Sequence, residues 1–111
     1  MQNEQHNFVD LFSLMLHASV AEKLRLNSQE VLQIAQENLN HWLSSEKSNG
    51  NPALREWQKI LDTQSPEEII KIITQDTDEG QRLRSSSPFV GVLSETERDK
   101  IWSECAKIRS V

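Results

Sequence analysis

The chain has 111 residues, the length of a single domain (residues 1–111) with room for a modest core. Only 36% of residues are apolar and 26% are charged. The polar excess therefore lies in Ser, Gln, Asn and Thr, as in a thin-cored protein or one that keeps apolar surface for a partner. Twelve basic residues against seventeen acidic give a formal charge of −5, which disfavours nucleic acid and favours a basic protein as partner.

Cys105 is the only cysteine, so no internal disulfide forms, and its place on a helical pattern reads as a small buried hydrophobe. No basic-then-apolar leader opens the chain. The longest apolar-rich run, residues 8–16, is interrupted by Asp10 and Ser13 and is too short to span a bilayer. The expectation is a cytoplasmic protein that does not enter a membrane.

Residues 1–6 are polar and expected to be disordered. From Phe8 the spacing turns helical, with Phe8, Leu11, Phe12, Met15, Leu16, Val20 and Leu24 on one face. Val9 and Leu14 lie off that stripe, so this helix is apolar over a wide arc. That marks a central helix, or one whose second face meets a partner or a second copy of the chain. His17 has no second ligand one helical turn away and reads as a structural or surface histidine rather than a metal ligand. Asn27 or Ser28 then caps a second helix, with Glu30 reaching back. Its inward face is Val31, Leu32, Ala35, Leu39, Trp42 and Leu43; Gln33, Gln36, Glu37, Asn38, Asn40 and His41 are expected in water. The short link makes the two helices a hairpin.

After the loop at 44–51, Pro52 opens a third helix over about 52–62, with Leu54, Trp57, Ile60 and Leu61 inward. Ser65, Pro66 and Glu68 form a capping box for a fourth helix over about 66–75, which buries Ile69, Ile70, Ile72 and Ile73. Asp76 with Glu79 caps a short helix to about Arg84, in which Gly80 is unfavourable by about 1 kcal/mol relative to Ala. Ser85 to Val92 is an ordered loop, since Pro88 holds Ser87 out of helical geometry. Ser94 and Glu97 complete an S-x-x-E box for a last helix over about 95–108, with Ile101, Trp102, Cys105 and Ile108 inward. The fold is all-α: five helices plus one short one, a helical hairpin followed by a compact C-terminal array.

Chemistry-bearing patterns are sparse. His6, His17 and His41 are scattered, and Asp76, Asp78 and Glu79 lack the spacing of a calcium loop, so no metal ligands or cofactor are assigned. Ser85, Ser86 and Ser87 have no G-x-S-x-G setting and no histidine nearby in sequence, so no catalytic residue is assigned and the chain reads as a non-enzyme. Arg82 and Arg84 beside three serines could hold phosphate. The competing reading has them pair with Asp76, Asp78 or Glu79, or with loop carbonyls. Helices three and four are a poor helix-turn-helix, because the second presents Glu67 and Glu68.

Arg82-Leu83-Arg84-Ser85-Ser86-Ser87-Pro88-Phe89, then Gly91-Val92-Leu93-Ser94 and Glu97-Arg98, resembles a group of small bacterial helical proteins. Their C-terminal half reads R-L-R-x-S-S-P-F-x-G-V-L-[ST]-x-x-E-R. Leu16 to Leu24 is similar to an L-H-x-x-V-A-x-K-L stretch of the same group, and Glu56-Trp57 to its E-W. The resemblance covers about Leu16 to Trp102. Some members are associated with helix-turn-helix or toxin–antitoxin modules, so it implies an antitoxin-like or regulatory protein that binds a co-encoded partner. It supplies no catalytic residues.

The functional expectation is a protein-interaction module, with Arg82, Arg84, Ser86, Phe89, Val90, Phe8 and Phe12 as candidate partner-binding residues and helix one as a candidate homodimer face. The alternative is a nucleic-acid accessory protein or transcriptional regulator acting through Arg82 and Arg84.

Overall fold

The structure, a computed structural model, describes residues 7–45 and 51–109; the expected disorder of residues 1–6 lies outside these. The described residues form six helices and no strand: α1 (Phe8–Leu26), α2 (Ser28–Leu43), α3 (Pro52–Thr63), α4 (Pro66–Thr74), α5 (Asp78–Arg84) and α6 (Glu95–Arg109). The all-α expectation holds, with α5 as the short helix.

Local chemistry sets most helix starts. Asn7 Oδ1 accepts the N–H of Asp10 at 2.8 Å, and Asn51 Oδ1 accepts that of Ala53 at 2.9 Å, with Pro52 in the first turn. Ser65 Oγ accepts the N–H of Glu68 at 3.2 Å, while the Glu68 carboxylate lies 3.5 Å from Lys71 Nζ. The box at α6 is reciprocal: Glu97 N–H donates to Ser94 Oγ at 3.1 Å and Ser94 N–H to Glu97 Oε1 at 2.8 Å. Each such cap satisfies backbone donors that the first turn leaves without a partner.

Two caps differ from expectation. At α5 the cap is Thr77, not Asp76: its Oγ1 accepts the N–H of Gly80 at 3.0 Å. At α2 the Asn27 side chain makes no capping bond. Instead its N–H donates to Lys23 O at 2.8 Å and its carbonyl accepts from Val31 N–H at 3.1 Å. One residue thus ends α1 and begins α2 through its backbone, and Ser28 is already helical.

α1 is the centre of the molecule and touches α2, α4, α5 and α6. It runs antiparallel to α6. Lys23 near its C-terminus pairs with Glu97 at 3.0 Å, while Phe8 O at its N-terminus lies 4.0 Å from Cys105 Sγ. The buried line along α1 is His17, Val20, Ala21 and Leu24; Phe8, Leu11, Phe12, Met15 and Leu16 are half-buried. Leu39, Trp57, Ile69 and Ile73 from the other helices close the core, and Ile60, Leu61, Ile70 and Ile72 pack around it. Trp57 is its largest member. It is fully buried, its Nε1 donates to Leu83 O at 2.9 Å, and its ring meets Phe89 edge-on at 5.8 Å.

α6 departs from expectation. Ile101 and Cys105 are buried, but Trp102 is 51% exposed and Ile108 55%. Residues four apart share one line on a helix, and the next residue is turned by about 100°. α6 lies on α1 through the 101–105 line, so Trp102 sits at the seam's edge. α2 departs on its polar face, where Gln36 and Asn38 are half-buried rather than solvated. Gln36 exchanges two hydrogen bonds with Gln58 of α3, at 2.7 and 3.0 Å.

Candidate functional site

The candidate site is the loop between α5 and α6 with the cavity beneath it. α5 unwinds through short-range bonds from Ser86 N–H to Leu83 O and from Ser87 N–H to Arg84 O, at 3.2 and 3.1 Å. Pro88 then turns the chain into the core, where it is fully buried. Gly91 completes the turn at φ +88°, a left-handed conformation in which a side chain would be strained. Asn38 of α2 clamps the turn by donating from Nδ2 to the carbonyls of Pro88 and Val90, both at 2.8 Å.

On the other side, α1 holds the loop through His17. His17 Nδ1 lies 2.7 Å from Ser13 O and Nε2 lies 2.8 Å from Ser87 Oγ. A carbonyl only accepts, so the proton sits on Nδ1, and Nε2 accepts from the Ser87 hydroxyl. Ser87 Oγ in turn accepts the N–H of Phe89 at 3.2 Å. Burial lowers the His17 pKa and the nearby Arg84 charge adds to this; the Ser13 carbonyl opposes both. The imidazole is therefore neutral near pH 7.

The two arginines serve different neighbours. Arg82 is exposed and forms a fork with Glu56 of α3, at 2.8 and 2.9 Å, while its Nε bonds Glu79 at 3.0 Å. These bonds hold both carboxyls below the usual range. Arg84 is 4% exposed. Its Nη1 donates to Gln75 O at 2.6 Å and to Ile73 O at 3.4 Å, which places a cation on the last carbonyls around the end of α4. Nε and Nη2 are buried with no partner among the described residues. Burial lowers the Arg84 pKa, and Asp76 and Asp10 oppose that shift. Gly80 makes the arrangement possible: a Cβ there would stand 2.3 Å from Gln75 O and 3.1 Å from Arg84 Nη1.

Between the loop and the middle of α1 lies a cavity of about 240 Å³, walled by Leu16, His17, Val20, Arg84, Phe89 and Arg98 among others. The sequence-predicted residues are only partly brought together. Arg84 and Val90 line this cavity with Phe89, but Phe89 is 5% exposed and packs inward on Trp57. Ser86 is half-buried, and Arg82 lies on the α3 side. Val90 is the exposed tip, at 59%.

Phe8 and Phe12 form a second locus with Trp102, whose ring meets theirs edge-on at 4.4 and 5.0 Å. Val9 is exposed at the same end of α1. Trp102 lies at the surface rather than on the inward face that its spacing predicts. His17 has a structural role, and what its spacing does not reveal is its partner, Ser87, 70 residues away.

Chemically, the Ser87–His17 pair has the spacing of a base and a hydroxyl, but the imidazole is oriented by a carbonyl rather than a carboxylate, and Ser87 also closes a turn. Its evident work is to fasten loop to helix. No group of three or more His, Cys, Asp or Glu among the described residues is placed to hold a metal, and no described helix is long and apolar enough to cross a membrane. A scan against protein-family models, a search of curated proteins and a search of solved structures each gave no match.

Proposed function

We propose that the chain is a non-enzymatic protein-interaction module, antitoxin-like or regulatory, that binds a bacterial protein encoded beside it. The observation that carries this reading is the surface aromatic cluster of Phe8, Phe12 and Trp102. A half-exposed tryptophan met edge-on by two phenylalanines, with Val9 exposed at the same end of α1, has the composition of a binding hot spot. Orienting the rings in the free protein lowers the entropy lost on contact. Net charge −5 favours a basic partner. The polar members of the candidate set contribute less: Arg82 and Arg84 are engaged within the molecule, and Val90 is the part of the loop left outward.

The test is co-expression with the products of the neighbouring genes, followed by purification through a tag on this chain. A stable complex with one of them that is lost in Trp102→Ala, with helicity unchanged, is the expected result. Failure of every neighbour to co-purify, or a complex indifferent to Trp102→Ala and Phe12→Ala, counts against the reading. A second copy of the chain is the other candidate occupant of the same face of α1, and sedimentation equilibrium of the purified protein separates the two.

A further inference from the structure

Arg84 makes two hydrogen bonds, both from Nη1, out of the five N–H groups of its guanidinium. Nη1 holds the end of α4, while Nε and Nη2, the side-on edge of the guanidinium, have no partner among the described residues although Arg84 is 4% exposed. That edge presents two parallel N–H groups and matches the two oxygens of a carboxylate. No carboxylate among the described residues is bonded to Arg84: its bonded partners are the neutral carbonyls of Ile73 and Gln75.

Arg84 is among the residues that line the 240 Å³ cavity under the loop. The rest of that wall is mainly apolar, from Leu16, Val20, Phe89 and Leu93, with Arg98 as a second cation and no acidic residue. Asp76 and Asp10 lie near enough to favour the Arg84 charge without bonding its fork. The cavity lining itself holds no acid, so the open fork beside a small apolar space describes the complement of a specific kind of ligand.

We infer that this cavity binds a carboxylate carried on a short apolar group, with the carboxylate on the Nε–Nη2 edge of Arg84 and the apolar group against Leu16, Val20 and Phe89. Arg98 adds attraction from the cavity wall. The two nitrogens are closed off in the free protein, so seating the ligand requires the loop at 85–92 to shift. Its hydrogen bonds to α1 and α2 are Ser87 to His17 and Asn38 to Pro88 and Val90, and the shift must also work against the packing of the buried Pro88 and Phe89. The size suits a ligand of several heavy atoms, smaller than those of drug-sized pockets. A free branched-chain acid and the C-terminal residue of a peptide share this chemistry. The site stands independently of the aromatic surface around Trp102.

The test is a titration of the ¹⁵N-labelled full chain with 4-methylpentanoate, N-acetyl-leucine and N-acetyl-leucinamide. The first two should shift the amides of Ser87, Phe89 and Gly91 with a Kd on the order of 1 mM, as expected for fragments. The amide should bind at least about tenfold more weakly, since it lacks the charge the fork requires. Tighter binding of N-acetyl-leucine identifies a peptide terminus as the natural source; tighter binding of 4-methylpentanoate identifies a free acid. Arg98→Ala, at an exposed position, should keep the spectrum of the parent and weaken both acids about threefold or more. Arg84→Lys keeps the charge without the fork and should weaken them further. Equal binding of acid and amide, acids unaffected by Arg98→Ala, or no shift at the loop amides would overturn the inference.

Discussion

At the scale of single residues, the molecule departs from propensity where two backbones meet. Gly80 sits inside α5, where alanine would be the better helix former by about 1 kcal/mol. Yet the position admits no Cβ, because Gln75 O would lie 2.3 Å from it. The obstacle is backbone, so relief requires α4 and α5 to separate and Arg84 to lose its carbonyls. Gly80→Ala should therefore destabilise by about 2 kcal/mol or more despite the helix gain, read as a fall in the urea midpoint. A midpoint equal to or above that of the parent would show that the close approach is not what selects glycine.

His17 gives the second prediction at this scale. Its folded pKa lies below the ordinary 6.5 because burial disfavours the charged ring. Where pH falls below about 6.5, the unfolded chain takes up a proton that the folded chain refuses. Stability tied to this group is therefore complete above that pH and declines as pH falls toward the folded value. The decline should begin well above the carboxylate range, and His17→Asn should remove that part of the slope. Urea midpoints at about pH 7.5 and about pH 5.5 measure it; a parent protein equally stable at both would contradict the neutral assignment.

At the scale of elements, what is written locally was legible and what depends on a distant neighbour was not. Helix starts at Pro52, Pro66 and Glu95 were readable because a cap and its first turn are contiguous. The Ser94–Glu97 box is the plainest case, since both of its bonds close within four residues. Thr77 displaced Asp76 as cap by a single residue, a choice between two competent side chains that local chemistry barely separates. Asn38 and Gln36 were read as solvated because their residue types permit it; their engagement depends on Pro88 and Gln58, 50 and 22 residues away. The candidate loop was visible from its proline, glycine and arginines, whereas its fastening to His17 was not.

The α6 box also carries a measurable consequence. Glu97 serves as capping acceptor and as partner of Lys23 on α1, and the Ser94 N–H with Lys23 holds its carboxyl below the usual range. Ser94→Ala removes the Oγ that accepts Glu97 N–H and should cost about 1 kcal/mol. Lys23→Ala removes only a solvent-screened pair and should change stability by less than about 1 kcal/mol. Chemical denaturation of the two variants separates cap from ion pair, and the reverse order would mean that docking of α6 rests on the Lys23 contact.

At the scale of the whole molecule, three tryptophans sample three depths: Trp57 fully buried, Trp42 half-buried, Trp102 half-exposed. Because α1 touches four other helices, the core it centres should unfold as one cooperative unit. Trp57 ties α3 to α5 through Leu83 O and to the loop through Phe89. Truncating it opens a cavity at that junction, so Trp57→Ala should lower stability by about 3–5 kcal/mol, a large share of the total for a domain of this size. Trp102→Ala forfeits edge-on contacts worth about 0.5–1.5 kcal/mol each beyond burial, and it leaves the core closed. Its effect should be clearly smaller than that of Trp57→Ala. The gap matters because the Trp102 variant is also the probe of the proposed partner surface. If unfolding midpoints and helicity show the Trp102 variant nearly intact while Trp57→Ala is not, loss of a complex in the former reports on contact rather than on folding. Equal destabilisation by the two would instead make the aromatic cluster an extension of the core and remove the observation on which the interaction reading stands.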